Sequence, residues 1–309
     1  MSERLKPYKI HVVDVFTERP LAGNQLAVVL NAEGIPGEAM QRIAREMNFS
    51  ETTFVLAPKN TGHAAQVRIF APGSELPFAG HPTIGTAWVL WTEGLVPGGA
   101  LEFTLEEGIG PVPVRGEQSA GGLRFWMTHP KVSFGDVLPD RTGAAAALGL
   151  TEDQLSTDVP IQSASTGLPH IYVALKDAQA VDAAVSDKQR LGKAFREAVF
   201  LFAPNGKDRL YSRMFAGHIG DISEDAATGS ASGPLGAFAV KYGLVPRSAS
   251  VSLVSEQGTK MGRQSFVQIK LAYPPDGDVP SRIEVGGSVV PMLKGELAGG
   301  WDDEAPRKR

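Results

Sequence analysis

Two short stretches of this chain combine glycine, carboxylate and imidazole in an order that could do acid–base chemistry. The first is Glu75-Leu76-Pro77-Phe78-Ala79-Gly80-His81-Pro82-Thr83, and the second is Glu224-Asp225-Ala226-Ala227-Thr228-Gly229-Ser230-Ala231-Ser232. Each reads as a glycine turn that opens an apolar helix. A helix start leaves up to about four backbone N–H groups without intrahelical partners and carries partial positive charge, so it suits a small anion such as a carboxylate. Glu75, His81, Glu224 and Asp225 add groups that could take or return a proton. One glycine before a helix is ordinarily a turn and nothing more. Two of them, each with titratable neighbours, mark a candidate active site. Neither stretch carries the adjacent Lys of a phosphate loop, which argues against nucleotide hydrolysis.

The elements that must position these turns follow from residue patterning. Tyr8–Val15, Gln25–Leu30, Glu51–Ala57, Ala65–Phe70, Leu101–Leu105, Val112–Arg115 and Leu123–Thr128 are apolar or β-branched runs and predict strands. Pro36–Met47 has apolar residues at helical spacing and predicts a helix. Pro82–Trp91 opens on proline, is apolar on nearly all sides and predicts a buried helix.

The order then repeats. Gly23–Val29 resembles Gly167–Val173, Arg68-Ile69-Phe70-Ala71 matches Arg213-Met214-Phe215-Ala216, Glu75 with Gly80 matches Glu224 with Gly229, and Glu106-Glu107-Gly108 matches Glu256-Gln257-Gly258. The offsets drift only from 144 to 150 residues. This predicts two copies of one unit, residues 1–118 and 119–309, with the boundary near Arg115–Leu123 and 283–309 as a candidate to cross back. In that arrangement the matched turns are expected to face one another across a cleft, because pockets favour domain interfaces.

Composition narrows the class. The chain has 309 residues, 42% of them hydrophobic, which is enough for a packed core. A formal charge of −4 argues against nucleic acid or an anionic membrane as partner. The absence of Cys removes disulfides, thiolate metal sites and any thiol nucleophile. The histidines show no close ligand pair, so no metal is expected. With no long apolar segment and no signal-peptide pattern at Met1–Ile10, a cytoplasmic protein is expected; Trp301–Arg309 reads as a charged, fraying tail.

Four motifs carry a family resemblance: Asp14-Val15-Phe16 through Gly23–Val29, Asn48-Phe49-Ser50-Glu51-Thr52-Thr53-Phe54-Val55, and the two glycine turns. In order and over nearly the whole chain they resemble the phenazine-biosynthesis isomerase (PhzF-like) family. The resemblance implies an α+β, diaminopimelate epimerase-like fold of two pseudo-symmetric domains, each a bent mixed sheet wrapped around a central helix, Pro82–Trp91 in one and Ala231–Val240 in the other. Related two-cysteine racemases place a thiol in each glycine turn; Ala79 and Thr228 stand there here, so two-thiol chemistry is closed to this chain. The resemblance assigns the general acid/base to Glu51 and completes the catalytic set with His81, Asp225 and Ser230. Asn24 is the implied substrate contact, and Ser50, Gly80, Thr228 and Gly229 join it as substrate-binding candidates. A homodimer is also implied.

Each of these residues has an ordinary reading too. Glu51 could be a solvated charge at a strand start, His81 and Ser230 helix caps, Asp225 dipole compensation, and Asn24 a turn residue. Phe78 and Trp88 read as core, and Arg307-Lys308-Arg309 as a solvated end. The expected function is a cofactor-independent isomerase that shifts a proton within a small carboxylate, by double-bond migration, tautomerisation or epimerisation. The alternatives are a non-catalytic small-acid binding protein and a lyase using the same base.

Overall fold

A computed structural model describes residues 7–119, 122–220 and 222–299. The expected tail at Trp301–Arg309, residues 1–6, and the Ala120-Gly121 part of the expected boundary lie outside the described residues. The chain separates into two compact units. One takes Met1–Leu21, Gln25–Phe125 and Ser288–Arg309; the other takes Ala22–Asn24 and Trp126–Gly287.

In the first unit, β1 (Tyr8–Val15) pairs with β2 (Asn24–Val29). Helix α1 (Gly37–Met47) then leads to β3 (Glu51–Leu56), which is parallel to β2. β4 (Ala65–Phe70) runs antiparallel to β3, and the two-residue β5 (Glu75–Leu76) folds back on β4. Helix α2 (Gly80–Thr92) follows, then β6 (Glu102–Glu107), parallel to β4, and β7 (Gly110–Ser119), antiparallel to β6. β8 (Gly122–Thr128) carries the chain onward.

The second unit repeats the scheme. After β9 (Ser133–Leu138) and α3 (Arg141–Ala147), β10 (Ile161–Ser165) pairs antiparallel with β11 (Pro169–Ala174). Helices α4 (Ala178–Ala183) and α5 (Lys188–Ala194) lead to β12 (Ala198–Pro204), parallel to β11. β13 (Arg209–Phe215), β14 (Glu224–Asp225), α6 (Gly229–Lys241), β15 (Ser250–Gln257) and β16 (Ser265–Ala272) reproduce the pairing of β4 to β7 strand for strand. The long β17 (Arg282–Leu297) pairs with β16 through its first half and with β1 through its second.

Side-chain alternation decides what lies on each face. Ala27 and Val29 of β2, with Phe54 and Phe70, receive Ala39, Met40, Ile43 and Ala44 of α1. On the opposite face α2 packs so closely that a Cβ on Gly85 would lie 2.5 Å from Leu26 and 2.9 Å from Val15. In the second unit Tyr172, Phe200 and Phe202 face α6, while Ile171, Val173, Val199 and Leu201 face α3, α4 and α5. Strands covered on both sides need continuous apolar runs, and β12 has one, Val199-Phe200-Leu201-Phe202-Ala203. Burying each such Leu or Phe contributes about 1.5–3 kcal/mol. Helices α2 and α6 are buried along nearly their whole length, consistent with their lack of a polar face. They are the central helices of an α+β fold.

Both central helices begin two residues before the expected starts. Ala79 and Thr228 are the N-cap residues, so Gly80 and Gly229 are the first helical positions. His81 and Ser230 therefore belong to first turns and are not caps.

Candidate active site

Glu51 is delivered by the end of a helix. Asn48 takes the left-handed conformation (φ 53°) and its N–H bonds to Ala44 O at 3.1 Å, closing α1. Asn tolerates that conformation better than most residues do. The chain then passes half-buried Ser50 and enters β3, where Glu51 lies opposite Leu26 of β2. Residues two apart on a strand share a face. Thr53 Oγ1 meets Thr86 Oγ1 of α2 at 2.9 Å, so Glu51 also faces α2.

The first turn of α2 meets it there. Glu51 Oε2 lies 3.4 Å from His81 Nε2, and the two side chains are 13% and 4% exposed. The same ring nitrogen lies 3.3 Å from the Gln25 carbonyl oxygen at the start of β2. A carbonyl only accepts, so the proton of a neutral imidazole sits on Nε2 and is donated to the Gln25 oxygen. Burial pushes the His81 pKa down to about 3, against a smaller upward pull from the Gln25 bond. The Glu51–His81 contact is thus one between a carboxyl group and a neutral imidazole, not an ion pair at ordinary pH. This disfavours His81 as a proton carrier near neutrality and leaves it as a fixed donor.

The second unit builds its own polar cluster. Asn24 Nδ2 donates to Asp225 Oδ1 at 2.7 Å and to Ala227 O at 3.1 Å. Thr228 Oγ1 donates to Asp225 Oδ2 at 2.7 Å. Gln257 reads the same turn from β15: its Oε1 accepts from Thr228 N at 3.0 Å, and its Nε2 donates to Asp225 O at 2.9 Å. Gly258 must be glycine, since φ is +75° and a Cβ would lie 2.5 Å from both Ala226 O and Arg263 O. Arg263 donates to the carbonyls of Ala22 and Gly23 at 2.8 and 3.0 Å, and Gly23 N donates to Gln264 O at 3.0 Å. These bonds hold Asn24 in place. Ser230 is buried in the first turn of α6.

Glu75 and Glu224 belong to the framework of the turns. Arg68 grips Glu75 through two bonds of 2.7 Å, and Arg213 grips Glu224 through two of 2.8 Å. These forks tie β5 to β4 and β14 to β13. Phe78 and Trp88 are half-buried. Sequence reasoning did not single out the Gln25 carbonyl, Asn48, Gln257 or Arg263. Gln257 left a trace in the repeat of Glu106-Glu107-Gly108 as Glu256-Gln257-Gly258, and Asn48 and Gln25 fall within the family motifs, but Arg263 left none. Among the described residues no group of three or more His, Asp or Glu is placed to hold a metal ion, and no helix is long and apolar enough to cross a membrane.

Comparison with known proteins agrees with the fold. The pattern of the phenazine biosynthesis-like (PhzC–PhzF) family matches residues 13–295. The chain is 35% identical over 286 residues to trans-2,3-dihydro-3-hydroxyanthranilate isomerase of Pseudomonas fluorescens, covering 93% of this chain and 98% of the relative. Among solved structures, the PhzF-family phenazine biosynthesis protein of Bacillus anthracis superposes with a TM-score of 0.86 at 26% identity, covering 95% of this chain and 99% of that one. A hydroxyproline epimerase of Agrobacterium vitis, 14% identical, shares the fold with a TM-score of 0.62 over 96% of this chain and 93% of its own.

Proposed function

Since the chain belongs to the phenazine biosynthesis-like (PhzC–PhzF) family and is an isomerase, we propose that it moves a proton within a small carboxylate substrate, with Glu51 as the group that carries it. Glu51 removes a proton from a carbon beside an electron-withdrawing group. The C–H electron pair passes into the substrate's π system, and Glu51 becomes the acid. After exchange with solvent it returns a proton to a different carbon or a different face, so one proton is lost and one gained and Glu51 is restored.

The observation that carries this reading is the Glu51–His81 contact of 3.4 Å in a sheltered corner. The neutral imidazole, whose Nε2 proton goes to the Gln25 carbonyl, packs against the carboxyl group and shelters it. Asp225 and Ser230 complete the catalytic set in this proposal. Each helix start, at Gly80 and at Gly229, offers amides suited to a carboxylate or to developing charge, and Asn24, Ser50, Thr228 and the Ser230 hydroxyl are the other proposed binding groups. Positioned acid–base catalysis contributes about a hundred- to ten-thousand-fold.

The substrate named for the Pseudomonas fluorescens relative, trans-2,3-dihydro-3-hydroxyanthranilate, is the first probe, followed by other small unsaturated carboxylates. The proposal expects a product of unchanged mass, and a loss of at least about a hundred-fold in kcat for Glu51→Gln. A product of lower mass would make the enzyme a lyase. A Glu51→Gln variant as active as the parent would remove Glu51 from the chemistry.

A further inference from the structure

The last residue of β6, just before the hairpin turn to β7, carries a carboxyl group that the chemistry above does not use. Glu107 is 7% exposed. Its Oε1 lies 2.7 Å from Thr83 Oγ1 in the first turns of α2. Thr83 Oγ1 also lies 2.8 Å from the carbonyl oxygen of Ala79, the residue that precedes Gly80 and His81. A hydroxyl has one proton, and the Ala79 carbonyl only accepts. If Thr83 donates to Ala79, the short contact with Glu107 is a hydrogen bond only when the carboxyl carries its own proton and donates to Thr83. Glu107 Oε2 is buried and has no hydrogen-bond partner among the described residues, a costly position for an ionised carboxylate.

The second unit supports the same reading. Gln257 occupies the matching place at the end of β15 and holds the turn before α6 with one donor and one acceptor, to Asp225 O and from Thr228 N. Glu107 makes neither of those backbone contacts, but a neutral carboxylic acid matches an uncharged amide, with one donor and one acceptor, where a carboxylate offers only acceptors. The neighbouring glycines do equivalent work. A Cβ on Gly108 would lie 2.8 Å from Pro77 Cα, and one on Gly258 would lie 2.5 Å from Ala226 O. In the first unit Ile109 N also donates to Pro77 O at 2.8 Å.

We infer that Glu107 is a positioning residue, held as a neutral acid, whose hydrogen-bond relay through Thr83 to Ala79 fixes the first turn of α2 and with it His81. The inference rests on the reading of Glu51 and His81 given above, because only that reading makes the placement of His81 matter to the reaction. Burial pushes the Glu107 pKa up to about 8, against a smaller opposing pull from Thr83. The other ionisable groups around the surface pocket it borders are Lys59, His63 and Glu106. Glu106 is occupied by the Lys59 and Asn60 amides and by His63 Nδ1, at 2.9, 2.7 and 2.9 Å. The relay therefore fails as pH rises through about 8, when Glu107 loses its proton.

The test is an NMR titration of the His81 ring signals from pH 6 to 10, which needs no substrate. In the parent these signals should shift with a midpoint near 8. In Glu107→Gln, whose amide mimics the neutral acid, that shift should vanish while the signals at pH 7 keep their parental positions. In Glu107→Ala they should be displaced at every pH. His63→Asn should leave the midpoint near 8 in place. His81 signals that titrate alike in the parent and in Glu107→Gln, or that stay constant to pH 10 in the parent, overturn the inference. Where turnover is measured, loss of an alkaline limb near pH 8 in Glu107→Gln is the matching kinetic signature. Failure of Glu51→Gln to lose activity sinks the base assignment instead, and the ring titration separates the two.

Discussion

His81 shows how burial selects a role for a residue type. Histidine is commonly a proton carrier near neutral pH, yet here the ring is enclosed and the Gln25 carbonyl fixes the proton on Nε2. His129 and His170 are enclosed as well, and burial takes both down to about 4. The sign of the consequence is definite. All three have folded pKa values below the ordinary value of 6.5, so below that pH the unfolded chain binds more protons than the folded one. Stability falls as pH drops from about 6.5 toward 3. Urea midpoints measured between pH 7 and 4 should decline, and His81→Gln should decline less steeply than the parent. Equal slopes would mean that His81 is not held neutral by the fold. At this scale the sequence was only partly legible. Glu51 looked ordinary until the resemblance singled it out, because an acid at a strand start is common. The Gln25 contact was hidden, because a backbone carbonyl is present at every residue and only the fold makes one available.

At the scale of elements, the internal repeat was visible in the sequence and has a physical cause. Arg68 with Glu75, and Arg213 with Glu224, recur because each glycine turn must be tied back to the strand before it. The two forks differ in setting. Arg68 and Glu75 are 30% and 44% exposed, whereas Arg213 and Glu224 are 7% and 14% exposed. Arg213 also donates to the Ala184 carbonyl at 2.7 Å. Removing one partner of a buried pair typically costs about 3–5 kcal/mol, since a charge stays buried without its counterion. An exposed pair is worth about 0–1 kcal/mol. Chemical denaturation should therefore find Glu224→Gln far more damaging than Glu75→Gln, and similar losses for both would contradict the distinction. Helix ends were less legible than helix bodies. The apolar runs of α2 and α6 were plain, but their starts depend on the extended conformation of Ala79 and the non-helical one of Thr228 (φ −107°, ψ 90°), which residue type does not dictate.

At the scale of the molecule, neither unit is one continuous stretch of chain. Residues 22–24 count with the second unit because Arg263 and Gln264 hold their backbone. That assignment was not readable beforehand, since nothing in Ala22-Gly23-Asn24 distinguishes it from an ordinary turn. The second half of β17 pairs with β1 from Tyr8↔Leu297 to Val15↔Val289. A chain ending at Gly287 should leave β1 without that ladder, and hydrogen exchange should show β1 amides losing protection. Retained protection would mean the ladder is dispensable. The four sequence motifs and the repeated strand order were the legible part of the whole, because both are written in local composition.

The central claim is that the Glu51 carboxyl group carries the proton. Its most direct test is transfer of solvent deuterium into bound substrate by the parent and by Glu51→Gln, followed by mass spectrometry in deuterated water. The account predicts deuterium at the carbon that gains the proton in the parent, and none above the uncatalysed rate in the variant. Incorporation by Glu51→Gln at the parental rate would contradict it.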